Sequence, residues 1–154
     1  MPRQSAGLLL FRNTSGALEV LLVHPGGPFW SRKDDGAWTI PKGEFSPAEP
    51  PLQAALREFE EETGAAVTGP FLELQPRRQA GGKTIYAWAV RGDFDPTGLK
   101  SNTFTVEWPP RSGRVQTFPE IDRAAWFSLE QARLKILKGQ APFLDELESV
   151  LGAR

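Results

Sequence analysis

Between Pro50 and Thr63 three carboxylates, Glu58, Glu61 and Glu62, recur at spacings of three and four residues. Threaded on a helix at about 100° per residue, they project from one face within an arc of about 100°. Leu52, Ala55, Leu56 and Phe59 take the adjacent face as i, i+3, i+4, i+7. Such a helix has one apolar side for a core and one side crowded with acid. Like charges at these spacings destabilise a helix by about a few tenths of a kcal/mol per pair and raise one another's pKa. A hard divalent cation reverses the sign of that problem, because carboxylate oxygens are the ligands Mg²⁺ and Mn²⁺ prefer. A solvated acidic face is the plain alternative, since charge runs usually meet water.

The flanking residues weigh against the plain alternative. From Gly43 to Ala65 the chain follows G-x5-E-x7-R-E-U-x-E-E-x-G-U, where U is bulky or aliphatic. Gly43, Glu49, Arg57, Glu58, Phe59, Glu61, Glu62 and Gly64 all match, with Ala65 as a small final U. At roughly 5–7% background usage for each of seven fixed polar or glycine positions, a chance match is on the order of 10⁻⁹ per start. This stretch resembles the signature of the Nudix hydrolases. It occupies residues 43–65 of 154, so the remainder is read separately.

The resemblance implies a loop–helix–loop whose glutamates hold a divalent metal, Mg²⁺ or Mn²⁺, against a diphosphate. Carried over residue by residue, Glu58, Glu61 and Glu62 become the metal-site and catalytic carboxylates, with Glu62 the firmest ligand and Glu58 the chosen general base. The Lys42 carbonyl would add an oxygen ligand. Gly43 has its own physical reason, since a backbone oxygen approaches a metal closely where no Cβ intervenes. By the same resemblance Arg57 and Glu49 form a bridge that fixes the loop onto the helix. Arg57 is also placed to pair with Glu61 at i+4.

Pro119-Glu120-Ile121-Asp122, before Trp126-Phe127, resembles a segment of the family's RNA 5′-pyrophosphohydrolases. It makes Glu120 the candidate fourth carboxylate, with Glu107 its rival. Trp38-Thr39-Ile40-Pro41-Lys42-Gly43 is similar to the W-x-x-P-K-G run of enzymes acting on dinucleoside polyphosphates or nucleoside triphosphates, where the Lys42 ammonium would neutralise phosphate. Arg111 and Arg114 are candidate polyphosphate clamps, because guanidinium groups bind phosphate in bidentate fashion. Trp30, Trp38, Tyr86, Trp88 and Trp108 include candidates for base stacking, although any one of them is ordinarily core. His24 reads as a loop histidine, and Lys33, Asp34 and Asp35 as a solvated loop. Ala80-Gly81-Gly82-Lys83 lacks the Pro or Tyr that ADP-ribose and dinucleoside-polyphosphate enzymes often carry past the motif, which leaves the substrate open.

These groups need a scaffold. Ala6 to Phe11 and Leu18 to Val23 are apolar runs around the turn cluster Asn13-Thr14-Ser15-Gly16, which predicts a hairpin. A loop spans His24 to Gly36, and a brief strand Trp38 to Ile40 leads into the motif. Prolines near the start of its helix cost least there, and Gly64 sits where a left-handed C′ residue is expected. Val67 to Gln75, Thr84 to Val90, Phe104 to Trp108 and Ala124 to Phe127 are further strand candidates. A helix follows from Ser128 to about Lys138, with Ser128 and Gln131 as a capping box, then another from Pro142 to Leu151. The pattern predicts an α+β fold, and the resemblance implies an α/β/α sandwich with a mixed β-sheet between helices.

Length predicts one domain, residues 1–154. A net charge of −1 gives no general attraction to long nucleic acid or anionic membrane, so a nucleotide site would need local basic residues. The chain has no cysteine, hence no disulfide, thiolate zinc or cysteine nucleophile. The N-terminal apolar run is too short for a signal peptide or membrane span, and a cytoplasmic location is the expectation. The partner expected is a small nucleotide or polyphosphate, with the oligomeric state open. A metal-dependent pyrophosphohydrolase is the leading reading. The alternative is a non-catalytic Nudix-fold sensor, a kind that usually loses carboxylates this chain keeps.

Overall fold

The computed structural model describes residues 3–79 and 81–152; Met1, Pro2, Ala80, Ala153 and Arg154 lie outside the described residues. The structural counterpart of the Ala80–Lys83 departure therefore begins at Gly81.

The anticipated hairpin is β1 (Gln4–Thr14) and β2 (Ala17–Pro25), antiparallel, with Phe11 opposite Val20. Ser15 and Gly16 both take positive φ, 52° and 82°, as a tight two-residue connection with the right twist requires. β1 is apolar on both faces because it lies inside the sheet. Its partners are β2, the short β3 (Lys42–Glu44), and β6 (Thr84–Arg91), which runs parallel to it. β4 (Phe71–Glu73) and β5 (Arg77–Arg78) pair with β6, and β9 (Ile121–Ser128) closes the other side against β2. The order is β4-β6-β1-β2-β9 in a seven-stranded mixed sheet.

Alternation along β1 divides the core. Ala6, Leu8 and Leu10 face α1 (Pro51–Thr63), meeting Ala54, Ala55 and Phe59. Leu9 and Phe11 face the opposite layer, where Phe143, Leu144 and Leu147 of α3 (Ala141–Val150) pack with Ala132 of α2 (Leu129–Lys135). Helices thus cover both faces of the sheet, as anticipated. Burying Phe59 alone contributes about 2–3 kcal/mol. Among the described residues no helix is long and apolar enough to cross a membrane.

Several expectations are corrected. Val67 to Gln75 is a strand only at Phe71–Glu73, because Pro70 and Pro76 flank it and leave no room for a longer ladder. Trp38 and Thr39 form isolated bridges to Ile136 and Val23, and the strand proper starts at Lys42. β8 (Val115–Pro119) is an addition to the expected strands; it pairs only with β7 (Thr103–Glu107) as a two-stranded hairpin. Four of its five residues are exposed, so no apolar pattern marks it. Ser128 caps α2 through the Gln131 N–H at 3.2 Å, and that helix stops at Lys135.

Candidate active site

The motif spans a strand, a loop and a helix. β3 runs antiparallel along the first residues of β1, with Lys42 opposite Gly7 and Gly43 opposite Ala6. Gly7 permits this approach, since a Cβ there would strike the Pro41 carbonyl oxygen. α1 follows, packed by its apolar face, and ends at Gly64 with φ 79° and its N–H on the Glu60 carbonyl at 2.7 Å.

This packing delivers Glu58 and Glu62, one turn apart, beside β3. The Glu58 carboxylate lies against the Cα of Gly43, in the space a side chain would take. Burial pushes the Glu58 carboxyl up; Arg57 opposes, and the negative charges of Glu61 and Glu120 add to the rise. Burial also pushes Glu62 well above the usual carboxylate range. The Glu58 charge reinforces that shift, the Lys42 ammonium opposes it, and Glu120 adds to it. Glu62 Oε1 is buried with no hydrogen-bond partner among the described residues. Burial lowers the Lys42 ammonium, and the positive charge of Lys83 lowers it further, against Glu62, Glu44 and Glu58. Glu58, Glu62 and Lys42 therefore share one poorly solvated neighbourhood, and the exposed Glu120 acts on its two carboxylates by charge.

Glu61 stands apart. Both of its oxygens lie 3.3 Å from Arg57 Nη1, and the side chain is 41% exposed. Arg57 also grips Glu49 with Nε and Nη2, each at 2.8 Å, and reaches Glu58 Oε2 at 2.8 Å. This fork ties the loop before α1 to the helix, in the arrangement the resemblance implies. Glu107 accepts the Gly113 N–H at 2.8 Å within its own hairpin, whereas Glu120 is a charge felt by both Glu58 and Glu62. Arg111 and Arg114 sit at the exposed turn of that hairpin, form no ion pair among the described residues and are not among the charges acting on Glu58 or Glu62.

Among the described residues no group of three or more His, Cys, Asp or Glu side chains converges as it stands on one ion position. The donor chemistry nonetheless suits a hard cation: an orphaned, buried carboxylate oxygen on Glu62, a second desolvated carboxylate on Glu58, and a glycine leaving room beside it.

Sequence reasoning misplaced His24. It lies near the end of β2, fully buried, with Nδ1 2.8 Å from Asp122 and Nε2 2.7 Å from the Lys33 carbonyl. The two-residue alternation of β2 runs on into it, because Val20, Leu22 and His24 occupy one face; that period was the available signal. Asp34 is likewise engaged, accepting from Trp38 Nε1 at 2.8 Å and from Lys135. Trp38 is core, and Trp108 remains half-exposed.

Comparison with known proteins follows the same line. The model of the NUDIX domain family matches residues 1–147. The chain belongs to the Nudix hydrolase family. This Nudix chain is 39% identical over 59 residues to a bis(5′-nucleosyl)-tetraphosphatase (asymmetrical) of Caenorhabditis elegans, covering 38% of each protein. It is 33% identical over 97 residues, 63% of its length, to a Myxococcus xanthus octanoyltransferase, of which that stretch is 24%. It thus spans well under half the length of these curated relatives. A crystal structure of a C. elegans Ap4A hydrolase binary complex superposes with a TM-score of 0.65 over 99% of both chains at 23% identity, a likeness of fold.

Proposed function

We propose that this chain is a divalent-metal-dependent pyrophosphohydrolase. It cleaves a phosphoanhydride bond in a nucleoside diphosphate-linked compound, with nucleoside triphosphates or dinucleoside polyphosphates favoured. The relative whose name specifies a tetraphosphatase and the W-x-x-P-K-G lead-in support that substrate class. The observation that carries the reading is the buried, unpartnered Glu62 oxygen one turn from the desolvated Glu58. Residues 1–154 are read as one Nudix domain, acting in the cytoplasm.

Glu62, Glu58, Glu61 and Glu120 would hold Mg²⁺ or Mn²⁺, together with the Lys42 carbonyl. Glu61 must leave Arg57 to take part. When bound, such an ion supplies charge neutralisation on phosphate oxygens and makes a water more acidic. The chain's own groups do the rest. Glu58, raised toward neutrality, takes the attacking water's proton on a carboxylate oxygen. Lys42 neutralises phosphate charge; burial weakens its hold on its proton, and the charges of Glu62, Glu44 and Glu58 oppose that loss. Arg57 and Glu49 position the loop, Gly43 makes room for Glu58, and Gly64 ends the helix. Arg111 and Arg114 contribute to polyphosphate binding only if the β7–β8 hairpin turns toward the site.

A panel of nucleotides incubated with Mg²⁺, with phosphate and pyrophosphate release measured, tests this. Glu62→Gln should lose on the order of 10²-fold or more in turnover. An equal rate removes Glu62 from the reaction, and tight nucleotide binding without turnover by the native chain favours the sensor alternative.

A further inference from the structure

The cleft that β7 and β8 form with the loop after β2 has a lining separate from Glu58, Glu62 and Lys42. It measures about 410 Å³, within the range of small-molecule sites. Pro119 and Asp122 line it and bracket Glu120, the residue whose charge reaches Glu58 and Glu62. We propose that this cleft receives the aromatic base of the nucleotide, stacked on Trp108 and Phe118, with Gln116 at the base edge. The proposal rests on the hydrolase reading and names the part of the substrate that lies beyond the phosphates.

The cleft is built rather than incidental. Gly26 donates its N–H to the Glu120 carbonyl at 2.8 Å, and a Cβ on Gly26 would collide with the Pro119 carbonyl oxygen. Gly27, at φ 98°, lies against the Phe104 ring, which a Cβ would meet at 2.7 Å. Two glycines therefore let the loop seat on the hairpin, and His24 holds Asp122 from beneath at 2.8 Å. Gln116 is set by its own bond, Nε2 donating to the Trp108 carbonyl at 2.6 Å. Its Oε1 has no donor among the described residues, so an exocyclic amine or ring N–H can use it.

The aromatic groups here belong to neither core cluster. Phe29 is 58% exposed and meets Trp108 edge-on, ring centres 5.2 Å apart. Apolar rings left at the rim of a pocket, with a polar amide between them, match a flat π-face bearing hydrogen-bonding edges. The larger cleft of about 650 Å³ near Asp34 and Lys135 has no such face to offer. Its tryptophan, Trp38, is 4% exposed, wedged edge-on to His24 and Phe127 and covered by the Arg123 guanidinium.

The test uses the full chain, ¹⁵N-labelled and with a chelator present, titrated with AMP and separately with ribose 5-phosphate. The Trp108 indole N–H is assigned by its disappearance in Trp108→Phe. AMP should shift that resonance saturably and bind about tenfold more tightly than the base-free sugar. Trp108→Ala should erase the difference, and Gln116→Ala, an exposed change that spares folding, should weaken AMP severalfold. Equal response to both ligands, or AMP shifts that leave Trp108 untouched, would overturn the pocket. Nucleotide turnover is measured in parallel. A moving Trp108 without turnover sinks the hydrolase reading alone, whereas turnover with the same KM in Trp108→Ala and the native chain sinks the pocket alone.

Discussion

The two helical layers treat charge in opposite ways. On the α2–α3 side, Arg133 bridges Asp145 and Glu148 at 3.1 and 2.8 Å, and Lys135 holds both Asp34 and Asp35. Each of these four acids has its cation, and the four carboxylates are exposed. On the α1 side, Glu62 keeps a buried oxygen without a partner and Glu58 is pressed onto Gly43. One layer satisfies its charges locally, and the other leaves carboxylates desolvated close together. Uncompensated buried charge costs stability, so its persistence marks the layer where an external ligand completes the balance.

The contrast can be broken from either side. Glu62→Gln should have the largest effect, the loss of turnover given above, while the metal-free protein becomes no less stable because a costly charge is gone. A chemical-denaturation midpoint with chelator present checks the second half; a marked fall would mean that Glu62 is satisfied after all. Next, Gly43→Ala should cost about tenfold or more in activity, since its Cβ must displace the Glu58 carboxylate. Wild-type turnover in that variant would dissociate Glu58's place from the reaction.

The pH response sharpens the same comparison. Glu62 has a folded pKa raised above its unfolded value, so the folded state binds more protons between the two. Its contribution is fully present below the unfolded value, about 4.3, and is lost as pH rises through the raised folded value. In chelator, wild-type stability should therefore decline across that window relative to Glu62→Gln. Parallel profiles would contradict the shift. Gly64→Ala, at φ 79° and with Lys100 Cβ only 3.2 Å from the new methyl, should cost about 1–2 kcal/mol. The smallest effect belongs to the other layer: Arg133→Ala should leave turnover unchanged and lower the melting temperature only slightly.

Much of the candidate site was legible because its residues are local. Gly43, Glu49, Arg57, Glu58 and Glu62 fall within one short strand, the loop after it and one helix, so spacing along the chain reports spacing in the fold. Even there, periodicity put Glu61 with its neighbours, but the Arg57 fork draws it aside. Long-range contacts left weaker traces. His24 meets Asp122 across 98 residues, and the loop-like Pro-Gly-Gly that follows it hid a buried strand end. β8 was unreadable because four of its five residues are exposed, so it lacks the apolar alternation that marks its partner β7. β1 and β6 were legible as strands, but nothing in either run says that they are parallel neighbours.

That pairing governs the order of assembly. Gln4 lies opposite Thr84 and Phe11 opposite Arg91, so the middle strand of the sheet waits for a companion made long after it. A nascent chain that has already emerged through Ala65 carries every glutamate of α1, yet lacks the neighbour that anchors the strand beneath that helix. Such distant closure is slow compared with local folding, and its apolar face stays open to wrong contacts meanwhile. A fragment stopping short of Thr84 should therefore remain loosely structured, with its acids hydrated and ordinary, and acquire their strained state only when the later half arrives.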